Sequence, residues 1–372
     1  MAVISFKCPN CDGELIFDPA TQKYKCEYCV STFTQEELDN MEREESTEKK
    51  LGASSGYVEE MYDGSSEADV TNVDAQSDGT ESRADAVMYT CPSCGAEIIT
   101  DATTAATFCY YCHNPVILGG RLSGEFLPDK IIPFEITKEQ AVKKFLEYVG
   151  KKKFIPKAFF SKQQIESITG VYFPYWNYSA DLENSMQGEA RNVRSWTTGN
   201  IRYTETKYYH VSRQGTVSLT NMTENALQKA NAELARGVMP YNFEKMRDFN
   251  MGYLSGFMAE KRDIGIESLE RQMQTLAKSY AFNMMKDTIK YSAVNIENSE
   301  TRFRGEDWAY CLLPVWTITY KGRNGKIYYY SMNGQTGEVC GELPVDHKKL
   351  ALVSGGVSAA IFIIGLIGGL LS

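Results

Sequence analysis

Histidine is nearly missing from this 372-residue chain, with three copies, and so are the arrangements that usually carry catalysis. There is no HExxH, no GxSxG and no phosphate-cradling Walker loop. Zincin-type hydrolysis, nucleophile-elbow acyl transfer and P-loop nucleotide hydrolysis are left without their residues. Basic charge is scarce as well: 39 Lys and Arg face 48 Asp and Glu, for a net charge of −9. Sixteen of the acids, against four Lys or Arg, fall in residues 35–88, so that segment carries −12 and the remainder about +3. Such a balance lacks the footprint of a dedicated nucleic-acid binder. A secretory signal is not expected either, because Met1–Phe6 is too short an apolar run before Lys7 and Cys8.

What the chain does hold is cysteine in pairs. Eight of its ten cysteines fall in CxxC motifs, the pattern of metal ligation in a reducing compartment rather than of disulfides. Cys8-Pro-Asn-Cys11 is followed after fourteen residues by Cys26-Glu-Tyr-Cys29. Cys91-Pro-Ser-Cys94 is followed, again after fourteen, by Cys109-Tyr-Tyr-Cys112. A CxxC turn sets two thiolates on one side of a tetrahedral ion, and a hairpin returns the second pair opposite them. GELIFD and AEIITD alternate as outgoing strands, while KYKCEYC and ATFCYYC return. Gly13 and Gly95, just past the first knuckles, let backbone N–H groups fold toward sulfur. Two zinc ions per chain are expected, one in each four-thiolate site, with iron the chemical rival for the same cage. A site closed by four protein ligands is structural, not hydrolytic.

The chain reads as two small zinc β-ribbons (1–34 and 89–118), an acidic disordered linker (35–88), an α+β body (119–348) and a transmembrane helix (350–371). The linker is too poor in apolar residues to order itself. Thr34 before QEELDNMER predicts a short helix over 34–43. Thr137-Lys-Glu-Gln140 predicts a capping box and a helix through Tyr148. Ile266, Leu269, Met273, Leu276 and Tyr280 predict a long helix within 264–291. Strands are expected at 171–178, at 202–219 with a turn near Gln214-Gly215, and at 312–320, 326–332 and 338–340, with turns at Arg323-Asn-Gly325 and Asn333-Gly334. Residues 222–235 read as helix. VYFPYW (171–176) is echoed by CLLPVW (311–316), either as two edge strands tolerating proline, the plainer reading, or as a duplicated half-domain.

Leu350 to Leu371 runs 22 residues without a charge, enough at ~1.5 Å per residue to cross a ~30 Å hydrocarbon core. His347-Lys348-Lys349 precede it and nothing basic follows, so the positive-inside rule predicts a single-pass cell-membrane protein with its N-terminal domains in the cytoplasm. Ser354, Ser358, Gly365 and Gly369 share one helix face and predict weak self-association, or merely reflect how common glycine is in membrane helices.

The two cysteine segments are similar to the zinc ribbons of transcription factor IIB and to the cysteine region of the primosomal helicase, over residues 1–34 and 89–118 only. Without a Walker motif the helicase resemblance carries no ATPase activity. The whole layout, and the closing segment PVWTITYKGRNGKIYYYSMNGQTGEVCGELP (314–344), resembles a bacterial family of zinc-ribbon membrane proteins. Members are often encoded beside phage-shock-protein-A-like envelope-stress proteins. The resemblance implies a non-enzymatic adaptor or scaffold that brings cytoplasmic protein partners, phage-shock-A-like ones among them, to the membrane. A membrane-tethered nucleic-acid-binding ribbon protein is the alternative. Charge speaks against it: the first ribbon has three Lys against four acids, and the second has Glu97 and Asp101 with no Lys or Arg.

Other residues invite plainer explanations. His113 reads as a surface histidine, since four thiolates already satisfy zinc. Cys311 and Cys340 read as unligated core thiols. Glu267 and Glu270 read as a solvated helix face. Tyr203, Tyr208, Tyr209, Tyr328, Tyr329 and Tyr330 read as sheet packing before a peptide groove. Residues 138–162 hold eight Lys against Glu139 and Glu147, the one strongly basic segment. It reads as a solvated face, or in a tethered domain as a contact for anionic headgroups.

Overall fold

The computed structural model describes residues 6–41, 87–91, 97–100, 103–109, 115–156, 159, 161, 165–228, 237–321 and 326–371. Most of the expected acidic linker, together with Cys94, Cys112, His113 and the Arg323-Asn-Gly325 turn, lies outside them. The strands in chain order are β1 (Leu15–Asp18), β2 (Lys23–Cys26), β3 (Thr32–Phe33), β4 (Val87–Thr90), β5 (Glu97–Thr100), β6 (Thr104–Phe108), β7 (Pro115–Ile117) and β8 (Lys130–Ile131). There follow β9 (Thr169–Thr198), β10 (Ile201–Asn225), β11 (Arg247–Asp248), β12 (Met258–Glu260), β13 (Ala293–Lys321), β14 (Ile327–Asn333) and β15 (Val339–Gly341). The helices are α1 (35–41), α2 (Lys138–Gly150), α3 (Ile266–Lys286) and α4 (His347–Leu371). β1–β3 form one small sheet and β4–β5 a pair. The others build a mixed sheet ordered β11-β8-β13-β9-β12-β6-β7, with β10 on β9 and β14–β15 beyond β13. The body is α+β.

β9 and β13 pair antiparallel around Phe173 and Leu313, so the two echoed segments lie against each other, Tyr172 opposite Pro314 and Pro174 opposite Leu312. The surroundings repeat. Met258 of β12 pairs in parallel with Val171, and Lys130 of β8 with Cys311. Trp176 Nε1 donates to Ile264 O (2.9 Å) and Trp316 Nε1 to Ile136 O (3.0 Å), each carbonyl two residues ahead of a helix. The N–H groups of Asp263 and Ile264 both reach Ala226 O, as those of Glu135 and Ile136 reach Gly334 O. Ala226 N and Gly334 N donate in turn to Pro174 O and Pro314 O. The body is a duplicated unit whose halves exchange strands β8 and β12. The edge-strand reading of the echo is therefore wrong. Both prolines stand in central strands, at the points where the outer neighbour changes from β12 to β10 or from β8 to β14. No ladder acceptor faces the missing N–H there.

Beyond Tyr178, β9 continues for twenty residues, roughly 65 Å of chain, before returning as β10. The turn is Gly199-Asn200, with positive φ (61°) at Gly199 alone, as a two-residue II′ hairpin requires. The expected turn near Gln214-Gly215 is not one; Gly215 pairs mid-strand with Asn184. Residues 222–225 belong to β10 rather than to a helix. β13 lines the other side of β9 from Ala293 onward, making a three-stranded arm. α3 covers one face of it through Leu269, Met273, Ala277, Ala281 and Met285, which meet Ala180, Leu182, Met186 and Ala190. The stripe predicted through Leu276 and Tyr280 is displaced, with Tyr280 exposed, because the alanines let the helix lie close on the sheet. The α2 capping box is present: Gln140 N–H donates to Thr137 Oγ1, and Thr137 N–H to Gln140 Oε1. Thr34 and Glu37 build the same box at α1. α4 is about 37 Å long, and over His347–Ile364 it is apolar (mean hydropathy 1.4) and unburied.

Candidate metal centre

Two tight turns set the first four cysteines. In one, Cys8 N–H donates to Gly13 O (2.6 Å), while Cys11 and Asp12 N–H turn back to Cys8 O. In the other, Cys26 at the end of β2 donates to Ser31 O (2.9 Å) and receives Val30 N–H (3.1 Å). Each turn closes on a left-handed residue, Asp12 (φ 57°) and Val30 (φ 62°). A short Asp tolerates this conformation, but for a β-branched valine it is strained. Pairing of β1 with β2, Leu15 opposite Cys26, then swings the two turns together.

The four sulfurs all lie within 4.8 Å of one another, Cys8–Cys29 and Cys11–Cys26 at 3.5 Å. A tetrahedral ion with Zn–S near 2.3 Å needs S···S of ~3.8 Å, whereas a disulfide needs ~2.05 Å. The donor set therefore fits a four-thiolate metal. Backbone N–H groups of Asn10 and Cys11 point at the Cys8 sulfur, Gly13 at Cys11 and Ser31 at Cys29. These are the outer contacts that offset thiolate charge. Burial pushes the Cys8 thiol up, while the Ser31 hydroxyl (3.2 Å) and then its N–H bring Cys29 down to about 6. The cluster can hold a metal ion; Ser31, which sequence spacing did not single out, places its hydroxyl 3.2 Å from the Cys29 sulfur and its N–H on the same atom.

This unit is packed on the body, which the sequence did not anticipate. Phe17 stacks edge-on to Tyr253 (5.1 Å), and Tyr24 lies 6.3 Å from the same ring. Phe17 N–H donates to Ser255 O, Ser255 Oγ to Leu15 O, and Gln22 Nε2 to Phe134 O. Gly252 is a close approach: a Cβ there would stand 2.6 Å from Tyr24 Oη. The unit thus shares the main apolar core.

At the second site, Cys91 and Cys109 are buried in one small cluster with Tyr89, Val116 and Leu118. Their partners Cys94 and Cys112 fall outside the described residues. The register matches the first unit, since Thr90 pairs with Glu97 as Lys7 bridges Glu14, 83 residues earlier. The segment is continuous with the body, because β6 pairs with β12. Arg121 clamps it: Nε donates to Tyr89 Oη (2.6 Å), NH1 donates to Thr104 O (3.1 Å), and the guanidinium lies 5.2 Å from the Tyr89 ring centre.

Between the first unit, β6, β12 and the start of α2 opens a cleft of about 970 Å³, lined by Lys25, Val30, Phe108 and Lys138 among others. Tyr28, beside it in sequence, is 79 % exposed and Val30 65 %. Of the other candidates, Cys311 is buried, Cys340 half-buried, and Glu267 and Glu270 exposed. Tyr330 is core, while Tyr203, Tyr208, Tyr209 and Tyr329 face solvent.

The structure thus defines a chain with a four-cysteine metal-competent unit, a mixed-sheet α+β body and an apolar C-terminal helix. It is 30 % identical over 362 residues to "Uncharacterized protein YdjG" of Bacillus subtilis (strain 168), covering 97 % of this chain and 96 % of that one. The chain belongs to the same family as that protein. No family model and no solved structure matches it.

Proposed function

We propose that the protein is a membrane-anchored zinc-ribbon adaptor: both cysteine sets hold zinc, α4 spans the cell membrane with the N-terminal domains in the cytoplasm, and the work is recognition rather than chemistry. The observation that carries this reading is the strained, exposed Val30. An apolar β-branched side chain held at φ 62° beside a metal knuckle, facing a cleft and next to exposed Tyr28, suits a surface built to be covered by a partner. Four thiolates leave no open coordination position for a substrate. Residues 35–88 join two ribbon segments that are each tied to the body, the first through Tyr253 and the second through β12. A protein partner in the cytoplasm, of the phage-shock-A-like kind that the sequence resemblance implies, would dock on the Tyr28–Val30 knuckle and the cleft. Pull-down of the detergent-solubilised chain against its Tyr28→Ala/Val30→Gly variant tests this. Bound proteins should be lost from the variant while its zinc content stays. An unchanged bound set would exclude the knuckle as the recruiting surface.

A further inference from the structure

We infer that Lys151, Lys152 and Lys153, with Lys348 and Lys349, form a seat for anionic lipid headgroups at the foot of α4. The inference rests on the membrane-spanning reading of α4 and names the lipid class that reading calls for. The three lysines follow the last turn of α2 and are all exposed, whereas Ile155 just beyond them is buried. Their segment is stitched to the start of α4. Asp346, which caps that helix through Lys348 and Lys349 N–H, donates its own N–H to Phe154 O (2.7 Å). Lys349 Nζ donates to Ile155 O (3.1 Å).

Three exposed lysines therefore sit on a stretch pinned beside the first turn of α4, where the apolar run begins at Leu350; the Lys152 ammonium lies 5.4 Å from the Tyr148 ring centre, a contact that headgroups would compete with. If α4 enters a bilayer there, lipid phosphates lie at that level, and an extended lysine reaches them within a Debye length of ~8 Å. Neighbouring acids do not cancel the patch. Asp346 is spent on the helix cap and on Lys349 (3.8 Å), and Glu342 pairs with Lys326 (2.6 Å). Among the described residues no carboxylate is in ion-pair range of Lys151, Lys152, Lys153 or Lys348. Successive lysines exposed on the surface suit a field of headgroups rather than one trapped anion.

The test uses the full chain reconstituted into vesicles and a membrane-impermeant amine-acetylating reagent, read by mass spectrometry at each lysine. With about 30 % phosphatidylglycerol, Lys151–Lys153 should react at least about threefold more slowly than in pure phosphatidylcholine, with Lys207 on the arm unchanged. Salt at about 0.5 M should erase the difference. Equal rates in the two vesicle types, with the protein retained after carbonate washing, would overturn this inference and leave anchoring intact. Release by carbonate from both would overturn anchoring and the inference together. Equal protection by inorganic phosphate over phosphatidylcholine would replace the lipid surface with a free-anion site, and so also overturn it.

Discussion

The first cysteine unit buries Leu15, Phe17, Tyr24 and Phe33, whereas the sheet around Leu313 buries Tyr172, Tyr175, Trp176, Tyr310, Leu312 and Trp316 within two strands. Four large side chains cannot offset the ordering of some thirty residues at ~1–2 kcal/mol each. On the proposed reading the small unit depends on a metal at its four thiolates, which can hold one, and the body on area. Yet Phe17 and Tyr24 complete the body's own core at Tyr253. A region too small to fold alone has been made part of one large enough to hold it.

Losing the metal separates the two most sharply. Cys8→Ser with Cys11→Ser removes a binding free energy of roughly 10 kcal/mol or more. Hydrogen exchange at β1 and β2 should then approach unfolded rates while β9 and β13 stay protected. Retained protection at β1 would mean that the Tyr253 contact alone holds the unit.

The pH scale sharpens the contrast from the other side. Burial holds Tyr172, Tyr175, Tyr241 and Tyr310 protonated well above the usual phenol range, and Cys311 likewise for a thiol. Their stabilisation is fully present below the unfolded values, near 9 for the thiol and 10 for the phenols, and is lost as pH rises beyond them. The slope approaches about 1.4 kcal/mol per pH unit for each group. Melting of the body should therefore collapse between about pH 10 and 11, whereas acid, which reprotonates thiolates, should release the metal unit first. A body melting point flat to pH 11 contradicts the first half.

Gly252→Ala attacks the joint. Its Cβ would meet Tyr24 Oη at 2.6 Å, and displacing that ring should cost about 2–3 kcal/mol while metal content stays at the wild-type level. Smaller still, Trp176→Phe and Trp316→Phe each orphan one carbonyl, Ile264 O or Ile136 O, at about 1–2 kcal/mol. Similar losses in denaturant melts support the duplicated body; a large effect at one site and none at the other breaks it.

Local chemistry was the legible part of the sequence. The thiolate spacing, the Thr137–Gln140 capping box, the helix start at Thr34 and the apolar C-terminal run needed no distant partner to be read. The β9 side of the arm was hidden because most of its inward positions, Ala180, Asn184, Gly188 and Ala190, are small or polar, leaving Met186 as the one large apolar residue on that face after Leu182. The duplication showed only in the VYFPYW and CLLPVW echo, too short to prefer it over two edge strands. Ile136 and Ile264 are 128 residues apart, Trp176 and Trp316 are 140 apart, and Ala226 and Gly334 are 108 apart, so no single period exists to find. The docking of the first unit rests on Tyr253 and Ser255, some 230 residues away from Phe17 and Tyr24, which nothing local announces.

On the proposed reading metal, not apolar area, holds the cysteine units. Elemental analysis of the purified chain tests it most directly, beside Cys8→Ser/Cys11→Ser and Cys91→Ser/Cys94→Ser variants. About two zinc ions per chain are expected, falling to about one in each variant. Iron in place of zinc, a single ion shared between the sites, or a fully folded first unit with no metal would contradict it.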